Sequence, residues 1–267
     1  MTPPPRDNIL NNIKRTDKKG EFIMDYPMLQ PQIEYKRKGY SFENKEEPCR
    51  IAAYAFPRAD KIMLLPDGCD ELIMAWGASR NFCARPDKTV RTELEALPDC
   101  LGLCGIRVEP GCTMDITDSE IENIQAVLTS AQSPCEARDI ILRGVLPCVK
   151  KRRVSAVWEE MAETVCKTRG RSTVASLAEQ FGYTVRHVNN LFRDCAGCSP
   201  KTFCRFVRFQ NALLEMMKNP DGENSEFIER LSYADQAHFQ REFKEFTGMT
   251  PREFVKLYLL PIYLKNS

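Results

Sequence analysis

The chain contains the same twelve-residue pattern twice, and this repeat constrains its fold more than any other feature. Residues 192–203 read FRDCAGCSPKTF, and residues 243–254, fifty-one positions later, read FKEFTGMTPREF. Four positions are identical (two Phe, one Gly and one Pro), and four more exchange like for like. Because two copies are too few for a solenoid, we interpret them as a pair of matching structural devices.

Each copy extends into a pattern typical of two short helices joined by a tight turn. In the first copy, Ser172 is a candidate N-cap, Gly182 interrupts the apolar stripe, and Thr184 is a candidate N-cap for the second helix. In the second copy, Asp235 takes the place of Thr184. Both copies end on Gly and then a hydroxyl residue followed by Pro, which is a strong helix start. The repeat therefore predicts two helix-turn-helix motifs.

The outward face of the second helix in each motif carries polar side chains. Arg matches the major-groove edge of guanine, Asn or Gln matches that of adenine, and Ala can contact a thymine methyl group. The two histidines of the chain, His187 and His238, occupy equivalent positions of the repeat. The predicted DNA contacts from the first copy are Arg186, His187, Asn189, Asn190 and Arg193, and those from the second are Ala237, Gln240, Arg241 and Lys244.

A long helix is predicted between the two motifs, over residues 199–219. Its sequence, SPKTFCRFVRFQNALLEMMKN, has a continuous apolar side. Such a helix spans about 30 Å, and adjacent major-groove faces of a duplex lie ~34–36 Å apart. We therefore expect it to act as a strut that holds both reading helices on one side of the DNA.

The first half of the chain carries signals for short strands. CRIAAYAFP (49–57), KIMLLP (61–66), ELIMAWG (71–77) and CGIRVEPG (104–111) are apolar runs that end at Pro or Gly. The PDG sequence at 66–68 has the chemistry of a tight turn. These features predict a β-rich unit.

Two helices are expected to follow that unit. The first begins near Asp118, a candidate N-cap, and the second covers residues 136–149 and ends or kinks near Pro147. The basic run at residues 150–153 then marks a junction between the two halves. Two interpretations of this run stay open: a solvated linker, or a contact with phosphate.

The second half, residues 154–259, resembles the DNA-binding domain of the AraC/XylS family of bacterial transcription regulators. The motifs that carry the resemblance are LAEQFGYTVRHVNNLFRDCAGCSPKTF and ERLSYADQAHFQREFKEFTGMTPREF. In that family the third and sixth helices read DNA. By matching positions, the resemblance implicates seven residues: Arg186, Asn189, Asn190, Gln236, Ala237, Gln240 and Arg241. Ser232 stands where the family usually has Gly, and a left-handed turn there would cost ~1–2 kcal/mol more with Ser.

The motifs LPDGCDELIMAWG (65–77) and GIRVEPG (105–111) resemble a β-rich sensor domain attached to some family members. Related sensor domains are cupin-like barrels that bind effectors or mediate dimerisation. The resemblance implies an α+β fold, with a β-rich cupin-like sensor domain and an all-α domain containing two helix-turn-helix motifs joined by a long helix. The expected divisions are a polar lead-in (1–20), a sensor domain (21–117), a helical connector (118–153) and a DNA-binding domain (154–260).

Charge and composition fit a regulator that binds DNA in the cytoplasm. Residues 1–149 carry 19 Lys and Arg against 23 Asp and Glu, whereas residues 150–267 carry 19 against 14, so that the second half is the basic one. We expect no signal peptide and no membrane span. The twelve cysteines are expected to be reduced, mostly buried thiols. Double-stranded DNA is the expected partner, with RNA polymerase, a small organic effector and a homodimer as further candidates.

Metal binding and catalysis are the alternatives to a DNA-binding function. A metal-binding cupin needs histidine ligands, and residues 1–186 contain none. A zinc site at Cys100, Cys104 and Cys112, with Cys83 as a distant fourth ligand, lacks a standard spacing. From the sequence we therefore expect no metal site, no cofactor and no catalytic residue.

A Cys-based alkyl-transfer or zinc-dependent DNA-repair protein is the competing class, because similar helical units occur fused to such enzymes. Both histidines lie in the repeat, away from any candidate Cys nucleophile, which disfavours this class. The acidic cluster of Asp67, Asp70 and Glu71 is interpreted as a turn and a solvated strand edge. A protein-interaction module with degenerate DNA surfaces is a third class, which Ser232 and Ala237 keep open.

Overall fold

The structure is a computed structural model that describes residues 40–44, 51–57, 61–78, 82–89, 91–95, 99–151, 155–218, 228, 230–231 and 233–259. The predicted lead-in at residues 1–20 lies outside these ranges, and so does Ser232. No helix in the described ranges is both long and apolar enough to cross a membrane.

All strands in the described ranges lie before residue 152. Their bounds are β1 Tyr40–Asn44, β2 Ile51–Pro57, β3 Lys61–Leu64, β4 Asp70–Trp76, β5 Cys83–Ala84, β6 Thr92–Glu95, β7 Gly102–Val108, β8 Cys112–Met114 and β9 Val149–Lys151. Five of them form an antiparallel sheet in the order β1-β2-β7-β4-β5. Two antiparallel pairs, β3–β6 and β8–β9, stand beside it. The four strands predicted from apolar runs are confirmed.

Both faces of the five-stranded sheet are buried, which explains why its central strands read as continuous apolar runs. In β4, Leu72 and Met74 point to one face, whereas Ile73 and Ala75 point to the other, as the two-residue period of a strand requires. The first face is covered by two helices, α1 (Asp118–Leu128) and α2 (Pro134–Val145). The second face packs against side chains of the β3–β6 pair.

The two helices predicted after the β-rich unit are present, but the first is capped by a different residue. Thr117, and not Asp118, is the N-cap, because its side chain accepts a hydrogen bond from the Glu120 amide while Glu120 reaches back to the Thr117 amide. The second helix ends at Val145, and a 3₁₀ turn containing Pro147 follows. Pro147 therefore ends the α-helix as predicted.

The basic run at 150–153 is not a free linker over its first two residues. Lys150 and Lys151 lie in β9, which pairs with β8 in antiparallel register. The Lys150 side chain stays exposed and forms a 3.3 Å ion pair with Asp115. Residues 152–154 lie outside the described ranges.

The second half of the described chain is helical. Its helices are α3 (Ser155–Lys167), α4 (Val174–Phe181), α5 (Val185–Ala196), α6 (Pro200–Lys218), α7 (Gln236–Thr247) and α8 (Pro251–Phe254), followed by a π-helical turn at Val255–Leu259. One core joins these helices, and it includes Leu65 and Cys69 from the β-rich half. The predicted mixed fold, with strands in the first half and helices in the second, is confirmed.

The cysteines depart from the prediction at one position. Cys112 is disulfide-bonded, so the expectation that every cysteine is a reduced thiol is wrong there. The other ten cysteines in the described ranges are free, and most of them are buried. Because its sulfur is already bonded, Cys112 is not available as the third ligand of the zinc site that was weighed from the sequence.

Candidate nucleic-acid interface

The first helix-turn-helix motif consists of α4, a turn at residues 182–184, and α5. The N-cap of α4 is Thr173, which forms a reciprocal capping box with Ser176, so the prediction of Ser172 is wrong by one residue. Gly182 ends α4 with φ +70°, a left-handed conformation that Gly adopts without strain. Thr184 caps α5 by accepting a hydrogen bond from the His187 amide, as predicted.

The second motif reuses the same local chemistry around α7. Asp235 caps this helix by accepting a 2.6 Å hydrogen bond from the His238 amide. Gly248 ends it with φ +76°, and Gly197 ends α5 in the same way with φ +70°. The predicted first helix of this motif falls mostly on residues outside the described ranges. The N-cap and C-cap predictions for both second helices are therefore confirmed, whereas the second motif is described only from its turn onward.

Apolar anchors hold each of these helices against the helical core. In α5 the fully buried anchors are Val188 and Phe192, and in α7 they are Phe239 and Phe243. Trp158 of α3 packs edge-on against Phe192 at a ring-centre distance of 4.9 Å. Each anchor pair is spaced four residues apart, so one side of the helix is fixed inward and the opposite side faces solvent.

The predicted DNA contacts lie on that outer side. Of the ten, only Asn189 is half-buried. The nine exposed residues are Arg186, His187, Asn190, Arg193, Gln236, Ala237, Gln240, Arg241 and Lys244. The Asn189 amide donates a 2.8 Å hydrogen bond to the Val185 carbonyl of its own helix. A two-point contact with adenine would require this amide to leave Val185, so Asn190 is better placed for it than Asn189.

The two equivalent histidines differ in their surroundings. The His187 ring stacks on Tyr183, with ring centres 4.5 Å apart and planes 12° from parallel. The Nδ1 atom of His238 instead accepts a 3.5 Å hydrogen bond from the Ala234 amide, and its Nε2 atom lies 3.9 Å from the Glu242 carboxylate. His187 is thus open to solvent beside an aromatic ring, whereas His238 is engaged within its own motif.

Two exposed apolar side chains at the start of α5 were missed from the sequence. Tyr183 is 38% exposed and Val185 is 49% exposed, although both are large and apolar. Apolar side chains at the N-terminal end of a reading helix can contact thymine methyl groups. Both residues flank the Thr184 cap and lie outside the inward stripe of Val188 and Phe192. From this position their exposure could have been predicted.

An ion-pair network on the inner side of α7 was also missed. Glu242 is 4% exposed, and its Oε2 accepts hydrogen bonds from Arg205 Nε at 2.8 Å and Arg208 Nη2 at 3.3 Å. Arg205 additionally binds Glu245 at 2.6 Å, and Arg208 donates to the Gly170 carbonyl at 3.1 Å. Since both arginines belong to α6, this helix holds α7 by charge as well as by apolar packing.

The buried thiols are poor nucleophiles. Burial raises the pKa of Cys198 to about 12 and that of Cys204 to about 11, and it also raises the pKa of Cys69 well above its ordinary value. Alkyl transfer needs a thiolate, which forms where a thiol pKa is lowered. In the described ranges no group of three His, Cys, Asp or Glu side chains is arranged to hold a metal ion.

The acidic cluster at residues 67–71 is not a solvated strand edge. Asp67 and Glu71 are both buried, Asp67 forms an ion pair with the buried Arg107, and Tyr54 donates a 2.6 Å hydrogen bond to Glu71. Asp70 alone keeps an intermediate exposure, and it pairs with Lys88 at 2.9 Å. Asp67 does lie in the predicted turn, where it accepts a 2.9 Å hydrogen bond from the Cys69 amide. The expected solvation is wrong for Asp67 and Glu71, because strand pairing brings Arg107 and Tyr54 to them.

The first capped helix pair, together with the equivalent caps, buried anchors and polar outer face of α7, has the features of a helix-turn-helix domain. Residues 177–256 match the family model described as a helix-turn-helix domain. The chain thus carries a helix-turn-helix domain of the AraC type. No curated protein matches the chain in sequence.

Several solved structures align with the chain, each at low sequence identity and with a TM-score below 0.5. ToxT from Vibrio cholerae aligns with 9% identity and a TM-score of 0.45, covering 79% of this chain and 99% of ToxT. A second ToxT structure, from strain O395, aligns with 11% identity and a TM-score of 0.46 over 79% and 98%. The C-terminal domain of AraT, a response regulator from Geobacillus stearothermophilus, aligns with 20% identity and a TM-score of 0.37 over 41% and 91%.

Proposed function

We propose that the protein regulates transcription by reading two successive major grooves of its operator, one with α5 and the other with α7. The observation that carries this proposal is the repeated arrangement of a capped helix with buried anchors and an exposed polar face. Arg186, Asn190, Gln240 and Arg241 are the side chains proposed to contact bases. Arg193 and Lys244, nearer the helix ends, are proposed to contact phosphates.

The β-rich half is proposed to modulate DNA binding. This follows from the core that it shares with the reading helices through Leu65 and Cys69. The pairing of β8 with β9 also returns residues 149–151 to the β-rich half, which supports a division near residue 153. We place the protein in the cytoplasm, where DNA is accessible to it. A small organic effector, a homodimer and contact with RNA polymerase stay predictions.

The proposal is tested by selecting duplexes from a random pool with the full chain and then titrating a selected duplex by fluorescence anisotropy. We expect Arg186→Ala to weaken specific binding by ~1–3 kcal/mol and to relax selectivity at one base pair. Arg143→Ala is the matched control. Arg143 is also an exposed arginine on a helix, but its helix, α2, packs on the sheet of the β-rich half, so this variant should leave the affinity for DNA unchanged.

Salt titration separates the two kinds of contact. Lys244→Ala should weaken binding to all sequences alike and reduce the salt slope by about 1, because it removes a phosphate contact. If the full chain enriches no sequence from the pool, or if Arg186→Ala and Arg143→Ala behave alike, the two-groove proposal is rejected.

A further inference from the structure

The carboxyl ends of both proposed reading helices touch the β-rich half of the protein. The last turn of any α-helix leaves four carbonyl groups without partners in the helix, and cations or N–H donors stabilise that end. In this protein, donors from the β-rich half bind one last-turn carbonyl of α5 and one of α7.

The end of α5 is held by the turn that follows β7. The Gly111 amide donates a 3.1 Å hydrogen bond to the Cys195 carbonyl. The neighbouring Pro110 carbonyl accepts a 3.0 Å hydrogen bond from the Trp158 indole, so the turn is fixed to α3 at the same time. Gly111 has φ +94°, and a methyl group on it would lie 2.6 Å from the Trp158 ring. Glycine is therefore required for this close approach.

The end of α7 is held by the segment that precedes β6. Arg91 donates a 2.8 Å hydrogen bond from Nη1 to the Thr247 carbonyl. The same nitrogen lies 3.2 Å from Glu93, which keeps the guanidinium group in place. The guanidinium lies directly against Gly248, the left-handed residue that ends α7, and a side chain there would displace it.

Lys88 belongs to the same segment and reaches the end of α5. Its Cε atom lies where a side chain on Gly197 would be, at 2.6 Å from the position of such a Cβ. Its Nζ atom binds Asp70 at 2.9 Å. Its carbonyl accepts hydrogen bonds from the Asp67 and Gly68 amides at 3.1 and 2.9 Å. The segment is thus tied to the PDG turn, which the Asp67–Arg107 ion pair fixes to the sheet.

We propose that Lys88, Arg91, Pro110 and Gly111 form a docking face that sets the position of α7 relative to α5. Arg91 and Gly111 are positioning residues, since they bind backbone carbonyls in the last turns of α7 and α5 and are not among the proposed base contacts. This assigns a role to the two motifs LPDGC and GIRVEPG: they build the surface on which the DNA reader sits. The inference rests on the proposed two-groove function, because the relative position of two helices affects binding only if both read DNA.

The test measures how binding depends on the spacing between the two contacted segments of a duplex selected by the full chain. Two base pairs inserted between the segments rotate them by about one fifth of a helical turn. We expect this insertion to weaken wild-type binding about tenfold and Arg91→Ala binding by less than about threefold, because the variant tolerates more than one arrangement of α5 and α7.

Arg85→Ala is the matched control. Arg85 lies in the same segment, but it donates its 3.0 Å hydrogen bond to the Met114 carbonyl of β8. This variant should keep the wild-type dependence on spacing. The docking proposal is overturned if Arg91→Ala keeps that dependence too. It is also overturned if Arg91→Ala lowers the salt slope by about 1, since Arg91 would then contact phosphate.

Hydrogen exchange of the free protein provides a readout that needs no DNA. In Arg91→Ala we expect faster exchange in peptides covering the end of α7 and unchanged exchange at the end of α5, at an unchanged melting temperature within a few degrees. Unchanged exchange at the end of α7 would contradict the docking contact itself. If the wild-type chain selects no DNA sequence while exchange responds as expected, the two-groove function fails and the docking contact stands.

Discussion

At the scale of single residues, the ionisation of Glu71 is coupled to folding at pH values near neutrality. Burial raises its pKa to about 7, while the hydrogen bond from Tyr54 opposes that rise. Because the folded-state pKa lies above the unfolded value of about 4.3, the contribution of Glu71 to stability is fully present below about pH 4.3. It is lost as the pH rises through 7, since the folded protein must then hold a buried carboxylate.

We therefore expect Glu71→Gln to remove a pH-dependent loss of stability of about 3 kcal/mol between pH 4.5 and pH 8. Gln keeps an acceptor for Tyr54 and cannot ionise. Urea unfolding of both proteins across this range measures the difference. Tyr54→Phe should raise the pH at which stability falls, because it removes the hydrogen bond that lowers the pKa of Glu71. Parallel pH profiles for the wild type and Glu71→Gln would contradict the assignment.

The glycines that end α4 and α7 provide a second residue-scale prediction. Gly182 and Gly248 have similar left-handed φ angles, +70° and +76°, but nothing lies within 4 Å of a Cβ at Gly182, whereas the Arg91 guanidinium group lies against Gly248. Gly182→Ala should cost ~1–2 kcal/mol in unfolding free energy, from backbone strain alone. Gly248→Ala should cost more, because Arg91 must also move. Equal losses in urea unfolding would mean that Arg91 yields freely.

At the scale of secondary structure elements, the two reading helices are held by different interactions at one equivalent position. Leu191 of α5 is buried and apolar, whereas Glu242, fifty-one residues later in α7, is buried and paired with two arginines of α6. Removing one partner of a buried ion pair leaves uncompensated charge, which typically costs ~3–5 kcal/mol.

Glu242→Ala should therefore destabilise the second motif by ~3–5 kcal/mol, and hydrogen exchange should show the loss in α7 before α5. Glu245 provides the control: it binds Arg205 as well, but its side chain is 61% exposed. Glu245→Ala should cost less than about 1 kcal/mol, as exposed ion pairs do. A similar loss for both variants would indicate that Arg205, and not the buried carboxylate, dominates the network.

The elements that the sequence predicts correctly are those specified by local patterns. The strand at residues 70–76, the caps Thr184 and Asp235, and the helix ends at Gly197 and Gly248 each depend on a few adjacent residues. Single-residue shifts of a cap, as at Thr117 and Thr173, occurred where two neighbouring residues have equivalent capping chemistry.

The features that the sequence did not predict depend on contacts between distant segments. Glu71 was expected to be solvated because nothing near it in sequence indicates that β2 and β7 bring Tyr54 and Arg107 alongside. The contact of Arg91 with the end of α7 could not be predicted from the sequence, because its partner Thr247 lies 156 residues away. The exposed faces of α5 and α7 followed from periodicity, whereas the surface that positions these helices required the tertiary structure.

At the scale of the whole molecule, the β-rich half and the helical half are joined by shared packing. Leu65 and Cys69 belong to the same buried cluster as Trp158 and the anchors of α5 and α7. The hydrogen bonds from Gly111, Trp158 and Arg91 cross the same boundary. Because buried apolar contacts and hydrogen bonds cross this boundary, we expect the two halves to unfold together.

The two tryptophans of the chain test this coupling, because each lies in a different core. Trp76 is buried in the sheet core and Trp158 in the helical core. In Trp76→Phe, the remaining fluorescence reports the helical half, and in Trp158→Phe it reports the sheet. We expect the fluorescence and far-ultraviolet circular dichroism midpoints of urea unfolding to coincide within each variant, as in a single cooperative transition.

Trp158→Phe should have the lower midpoint, since it loses the hydrogen bond to Pro110 as well as packing volume. Two separated transitions in Trp76→Phe would show that the helical half unfolds independently, and the docking face would then be too weak to set the position of either reading helix.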